Sequence, residues 1–197
     1  MRPIDIAIER IREKIVEMSK SIEYIINEIS KEVYRVESLS GYASRIRQLR
    51  AEIHSLVIEA IARYQPAASD LRYLMASLEI SYGLFRFSRY ALDIAYIIKN
   101  VQEQNETKCE MAGVKRMLPR VTEMMKDSIE SFIKRDVEKA NRIIKLDNEI
   151  DGEFSRILRE ALEKNDRCSF LDLIVCIYLE RIADHSVYIA SETLFMM

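Results

Sequence analysis

The sequence predicts an all-α protein of six helices, arranged as two tandem antiparallel three-helix bundles produced by internal duplication. Three observations lead there. Four glycines, three prolines and no Asn-Gly pair in 197 residues are too few breakers for a chain of strands and tight turns. Apolar residues recur at three- and four-residue steps over long stretches, which is the period of an amphipathic helix. Finally, the segment Leu84-Phe85-Arg86-Phe87-Ser88-Arg89-Tyr90-Ala91 returns downstream as Leu179-Glu180-Arg181-Ile182-Ala183-Asp184-His185-Ser186, with carboxylates where the first copy has Phe85 and Arg89.

The first helix is read from Ile4 onward through Ile6, Ile8, Ile11, Ile15, Met18, Ile22, Ile25, Ile26, Ile29 and Val33, which recur at three- and four-residue steps. Ser38, Ser40 and Gly41 form the first breaker cluster, after which Ile46, Leu49, Ile53, Val57 and Ile61 define a second helix that stops before Pro66. Asp70 opens a third helix reaching about Lys99. The polar run 102–107 has no apolar period and is expected to join the halves, dividing the chain into repeats 1–101 and 107–197. Met117, Val121, Met124, Met125, Ile129 and Ile133 mark a fourth helix, begun or kinked at Pro119. A fifth follows from about Val137 through Ile143, Ile150, Ile157 and Leu162, and a sixth from about Ser169 to the end. Short connections make successive helices antiparallel neighbours.

A balance of 49% hydrophobic and 31% charged residues is that of a globular chain. The net charge of −2 and the lack of a Lys/Arg block argue against nucleic acid as a partner. No uncharged apolar run approaches the roughly 20 residues of a membrane span; even the stretch from Phe170 to Tyr178 is interrupted by Asp172. Cys109, Cys168 and Cys176 are odd in number, contain no Cys-x-x-Cys and follow no signal-like segment, so reduced thiols in a cytoplasmic protein are expected. Any membrane association is then peripheral.

Asp147 and Asp151 are four residues apart, as are Glu180 and Asp184, so each pair stacks two carboxylates one turn apart on one helix face. Like charges at that spacing repel. Two such pairs on neighbouring antiparallel helices suit a cation between them, and oxygen-only ligands suit hard or borderline divalent ions. The competing reading is a solvated acidic face offset by Lys145, Arg156 and Arg181. Aligning the halves sets Ala43 and Arg47 opposite Asp147 and Asp151, and Phe85 and Arg89 opposite Glu180 and Asp184. The first repeat instead carries Arg47, Arg50, Arg86 and Arg89, which suit a phosphate or a partner's acidic face, or else pair locally with Glu52 and Asp93. His185 lies off the Glu180/Asp184 face and matches Tyr90, a packing position, and His54 is isolated. Neither histidine completes a Glu-x-x-His or His-Glu-x-x-His pattern, and no nucleophile or phosphate-loop motif is present, so no enzyme is expected. Methionines at helical spacing read as core filler.

Leu179-Glu180-Arg181-Ile182-Ala183-Asp184-His185 resembles the second repeat of the PhoU family of phosphate-signalling and phosphate-uptake regulators. Pro66-Ala67-Ala68-Ser69-Asp70-Leu71-Arg72 is similar to that family's lead into its third helix, and Asp147-Asn148-Glu149-Ile150-Asp151 to its acidic middle-helix motif. The resemblance spans most of the chain and implies a PhoU-like fold with divalent or ferric metal ions (iron, zinc or manganese) on Asp147, Asp151, Glu180 and Asp184. It further implies a cytoplasmic adaptor without catalysis; separately, a homodimer formed through the methionine-rich helices is expected. Its partners would be a phosphate transporter's ATPase subunit and a membrane sensor kinase, restraining uptake when phosphate is plentiful. The first repeat departs from the acidic pattern at Ala43, Arg47, Phe85 and Arg89, so it is not expected to repeat the metal site. The alternative class is a carboxylate-bridged metal-storage or metal-dependent helical-bundle enzyme.

Overall fold

The structure, a computed structural model, describes residues 2–30, 36–103 and 109–197. Among these residues the chain forms six helices and no strand: α1 (Pro3–Ser30), α2 (Val36–Tyr64), α3 (Ala68–Glu103), α4 (Ala112–Lys134), α5 (Val137–Lys164) and α6 (Arg167–Phe195). Each helix buries one stripe. In α2 the stripe is Val36, Leu39, Ala43, Ile46, Leu49, Ile53, Val57 and Ala60; in α5 it is Ala140, Ile143, Ile150, Ile157 and Ala161. Helices α1, α2 and α3 pack as one bundle and α4, α5 and α6 as the other. The bundles meet chiefly through α3 against α6, with a smaller contact of α1 on α4.

Burial exposes the duplication more sharply than identity does. Ile11, Ile15, Met18, Ile22 and Ile26 of α1 occupy the same buried positions as Met117, Val121, Met124, Ser128 and Phe132 of α4. Val36, Leu39, Ile46, Ile53 and Val57 of α2 match Ala140, Ile143, Ile150, Ile157 and Ala161 of α5 in a single register. For α3 and α6 the register set by Leu84 and Leu179 carries every buried residue of α6 onto a buried residue of α3, from Ala76/Leu171 to Ile98/Thr193. Conserving side-chain direction while changing side-chain identity is what packing requires, because burial depends on which face a position occupies.

Some local expectations give way. Ser38, Ser40 and Gly41 do not break the chain: α2 has already begun at Val36. Val36, Leu39 and Ala43 are buried in one stripe while Gly41 is exposed, so packing outweighs the weak helix propensity of serine and glycine. The break between α1 and α2 falls outside the described residues, as does most of the 102–107 joint. The third helix runs past Lys99 to Glu103, with Ile98 buried. Pro119 lies inside α4 rather than at its start, on an exposed face where the carbonyl left without a helical N–H can meet water.

The cysteines also correct the sequence reading. Cys109 and Cys168 form a disulfide that ties the segment before α4 to the start of α6, and only Cys176 remains a free, buried thiol. Their separation of 59 residues hid the pairing. At the junction of the bundles, Gly83 of α3 sits against Ile189 of α6 so closely that a Cβ there would lie 2.7 Å from the Ile189 Cγ1. A side chain at Gly83 would have to displace Ile189. No described helix is long and apolar enough to cross a membrane.

Candidate functional site

The acidic residues are placed by the stripes beside them. On α5, Asp147 and Asp151 flank buried Ile150 and are half-buried and exposed respectively. On α6, Glu180 and Asp184 flank buried Leu179 and Ala183 and are both half-buried. The close packing of α5 on α6 brings the two pairs into one electrostatic cluster. Burial raises the Asp147 carboxyl above its ordinary range, and Asp151 and Asp184 raise it further. Glu180 is raised first by burial and then by Asp184; Arg181 offsets part of this, and Asp151 and Asp147 add to it. Each acid thus senses acids on the opposite helix.

The neighbouring cations are mostly used elsewhere. Arg156 reaches Glu153 at 2.7 Å, and Arg116 bonds Glu153 at 2.6 Å and Glu160 at 2.8 Å, which ties α4 to α5. Among the described residues, only Arg181 touches the cluster, 3.4 Å from Asp184 and 3.6 Å from Glu180. Among the described residues, Asp147 and Asp151 have neither an ion pair nor a side-chain hydrogen bond. Nor do three or more His, Cys, Asp or Glu side chains already stand in a metal-holding arrangement. The donor set nevertheless fits a hard cation: it is all carboxylate, partly desolvated, mutually repelling and short of internal donors.

The same place in the first repeat has been rebuilt. The Arg50 guanidinium lies over Tyr82 at 5.1 Å and Phe85 at 5.3 Å. By the burial register Arg50 corresponds to Phe154 and Phe85 to Glu180, so aromatic and charged residues have exchanged helices. Arg86 stacks on Tyr90 at 4.6 Å and donates to its hydroxyl, and Arg89 pairs with Asp93 at 3.5 Å. Arg47 is exposed on α2. The four arginines therefore do not converge on one point: Arg50 and Arg86 serve aromatic faces, and Arg89 takes the local partner the sequence offered. His185 packs as its match to Tyr90 suggested, with ring centroids 5.5 Å apart and edge-to-face geometry across the α3–α6 junction.

Sequence reasoning missed Asp172, seen there only as an interruption. Helix α4 has Met111 at its N-cap and no side-chain cap of its own. The buried Asp172 carboxylate of α6 accepts instead from Gly113 N at 2.7 Å and Val114 N at 2.9 Å. A negative charge there also suits the helix dipole. Gly113 is required, since a Cβ at that position would lie 2.9 Å from the same carboxylate. The signal available in sequence was the lack of Ser, Thr, Asp or Asn at the start of α4. A second missed network joins Asp127, buried on α4, to Lys139 at 3.1 Å and to Arg142 on α5. Beside it, Lys134 and Lys139 hold the Glu130 carboxyl down at about 2.

The family model described as PhoU domain matches this chain twice, at residues 7–98 and 114–193. A protein of Clostridium acetobutylicum named phosphate-specific transport system accessory protein PhoU homolog is 31% identical over 159 residues, covering 77% of this chain and 72% of that protein. The crystal structure of PhoU from Pseudomonas aeruginosa superposes with a TM-score of 0.78 at 23% identity, over 98% of this chain and 97% of that one. The phosphate transport system regulatory protein PhoU from Streptococcus pneumoniae superposes with a TM-score of 0.83 at 18% identity, over 98% and 96%. At these identities the structures establish the shared fold.

Proposed function

The chain belongs to the PhoU family, and from that premise we propose that it is a cytoplasmic, non-catalytic regulator of phosphate uptake and phosphate signalling. The observation that carries this reading is the double family match, one on each bundle, together with a relative named as an accessory of phosphate-specific transport. The regulator works as a homodimer through protein surfaces, contacting the ATPase subunit of a phosphate transporter and a membrane sensor kinase, and restrains uptake when phosphate is plentiful. One feature supports surfaces rather than a reaction pocket: the arginines of the first repeat do not converge, with Arg47 exposed on α2, Arg50 and Arg86 laid on aromatic rings and Arg89 paired with Asp93. The division of labour follows from the rebuilt repeat. Asp147, Asp151, Glu180 and Asp184 hold iron, zinc or manganese and clamp α5 to α6. The basic face bearing Arg47, Arg50, Arg86 and Arg89 meets an acidic partner surface.

The test is direct binding of the purified chain to the transporter ATPase subunit and to the sensor kinase's cytoplasmic region, each from the same genome. Submicromolar binding to the ATPase subunit that weakens on Arg47→Glu/Arg89→Glu is the expected result. Binding to neither protein sinks the regulatory reading. Binding unaffected by the charge reversal leaves the role standing and removes the basic face from it.

A further inference from the structure

The first two turns of α4, residues 112–118, have little of their own to hold them. Met111 at the N-cap offers no side-chain cap, and the first turn carries no acid to meet the helix dipole. Beyond the segment, Pro119 lies inside the helix without an N–H, so the backbone bond to the Lys115 carbonyl is missing. The segment is weakly tied to the rest of α4 along the backbone, and its place is set by what it meets across the bundle.

Two anchors on α6 supply that. Asp172 accepts from the Gly113 and Val114 amides at 2.7 and 2.9 Å. One turn earlier, on the same helix face, Cys168 is bonded to Cys109, just before α4. The first anchor is helped by buried Val114 and Met117 and by Arg116, which reaches Glu153 and Glu160 on α5. The second is covalent and reducible. Both of its cysteines are half-buried, and Cys168 lines a cavity of about 210 Å³ shared with exposed Glu110, Lys164 and Asp166, so the bond lies at the surface rather than in the core. Cys176 is two turns from Cys168, buried, with its thiol 3.9 Å from the Asp172 carboxylate.

We infer that the Cys109–Cys168 bond is a redox-controlled latch on residues 112–118: oxidised, it holds them on α6, and reduced, it lets them open about Pro119. A dithiol supplies the two electrons. One of its thiolates attacks a sulfur of the bond, its second thiol resolves the mixed disulfide, the reductant leaves as its own disulfide, and protons end on the Cys109 and Cys168 thiols. Disulfides at the surface are the labile ones, and in a thiol-rich compartment they report redox state. Only that setting is borrowed from the cytoplasmic reading proposed above, and a measurement on the purified chain does not depend on it.

Hydrogen exchange of the oxidised chain and of chain treated with dithiothreitol in the absence of denaturant tests the latch, with alkylation counting thiols. The expected result is that Cys109 and Cys168 become alkylatable and that the amides of residues 114–118 exchange about ten-fold faster or more, with little dependence on added denaturant, while those of α5 keep the steep dependence of global unfolding. Cys109→Ser/Cys168→Ser should exchange like the reduced chain without any reductant. Pro119→Ala, which restores the missing backbone bond, should slow exchange of residues 114–118 in the reduced chain by about three-fold or more. A bond that dithiothreitol leaves intact overturns the inference. So does reduction that unfolds the whole chain, leaves residues 114–118 unchanged, or speeds them only with the denaturant dependence of α5, since the bond is then a staple of the entire fold. A reduced Pro119→Ala chain that opens as readily as the unaltered one removes the hinge and the latch with it.

Discussion

Reducing the Cys109–Cys168 disulfide is the perturbation whose size follows most directly from the structure. The bond closes a loop with a sequence separation of 59 residues, containing all of α4 and α5. Cross-linking a loop of that length removes denatured-state entropy worth about 4 kcal/mol near room temperature, on the chain-entropy account. In a protein of this size each kcal/mol moves the midpoint by about 2–4 °C, so full reduction should lower Tm by roughly 8–16 °C. Differential scanning calorimetry with and without a phosphine reductant measures the shift, and alkylation under denaturing conditions counts thiols before and after. Cys109→Ser/Cys168→Ser without reductant should melt where the reduced protein melts. Cys176→Ser should keep the reductant response, since burial pushes that thiol's pKa up and keeps it out of exchange chemistry. Three alkylatable thiols in the untreated protein, or a fall of less than about 3 °C on reduction, would refute the reasoning.

Two further outcomes follow from the acids. Folding raises the pKa of Asp147 and Glu180, so ionising them costs more in the folded state; their contribution is most favourable below the unfolded carboxylate values and declines as pH climbs through the folded ones. In metal-free protein their contribution to stability should therefore grow as pH falls through the folded carboxyl values, read as the difference between the unaltered protein and Asp147→Asn/Glu180→Gln across the acid limb. Asp147→Asn/Glu180→Gln should remove the share of the pH dependence that these two groups carry and raise metal-free stability at pH 7 by about 0.5–1 kcal/mol, a few tenths for each repelling pair. Manganese, iron or zinc should raise Tm of the unaltered protein and not of the double variant, with elemental analysis giving stoichiometric metal only in the former. Equal metal content in both would remove the site. Asp172→Ala, which strands the Gly113 and Val114 amides, should cost about 2–4 kcal/mol in urea unfolding. Asp172→Asn, which keeps one acceptor, should cost about half; a loss below about 1 kcal/mol for alanine contradicts the capping role.

Helix content, the order of elements and the duplication were legible because they are local or nearly so. The period that places Ile46, Leu49 and Ile53 on one face is a property of the chain, and so is the likeness of Leu84–Ala91 to Leu179–Ser186. The acidic pairs were legible for the same reason: residues four apart share a helix face whatever lies opposite. Boundaries were less legible. Ser38, Ser40 and Gly41 carry breaker chemistry, yet Val36, Leu39 and Ala43 bury together and hold them in α2.

The sequence by itself therefore determined which residues face inward, how many helices form, and that one repeat has lost the carboxylates the other keeps. Only the tertiary structure decided the rest. It set Asp172 of α6 on the amides of α4, bonded Cys109 to Cys168, and laid Arg50 across Phe85. Each of these joins residues distant in sequence, and the seating of Asp172 on the α4 amides depends on the close approach that Gly113 permits. Periodicity fixes the direction of a side chain about its own helix axis, but the partner it meets is set by how helices pack, and that is a property of the assembled bundle.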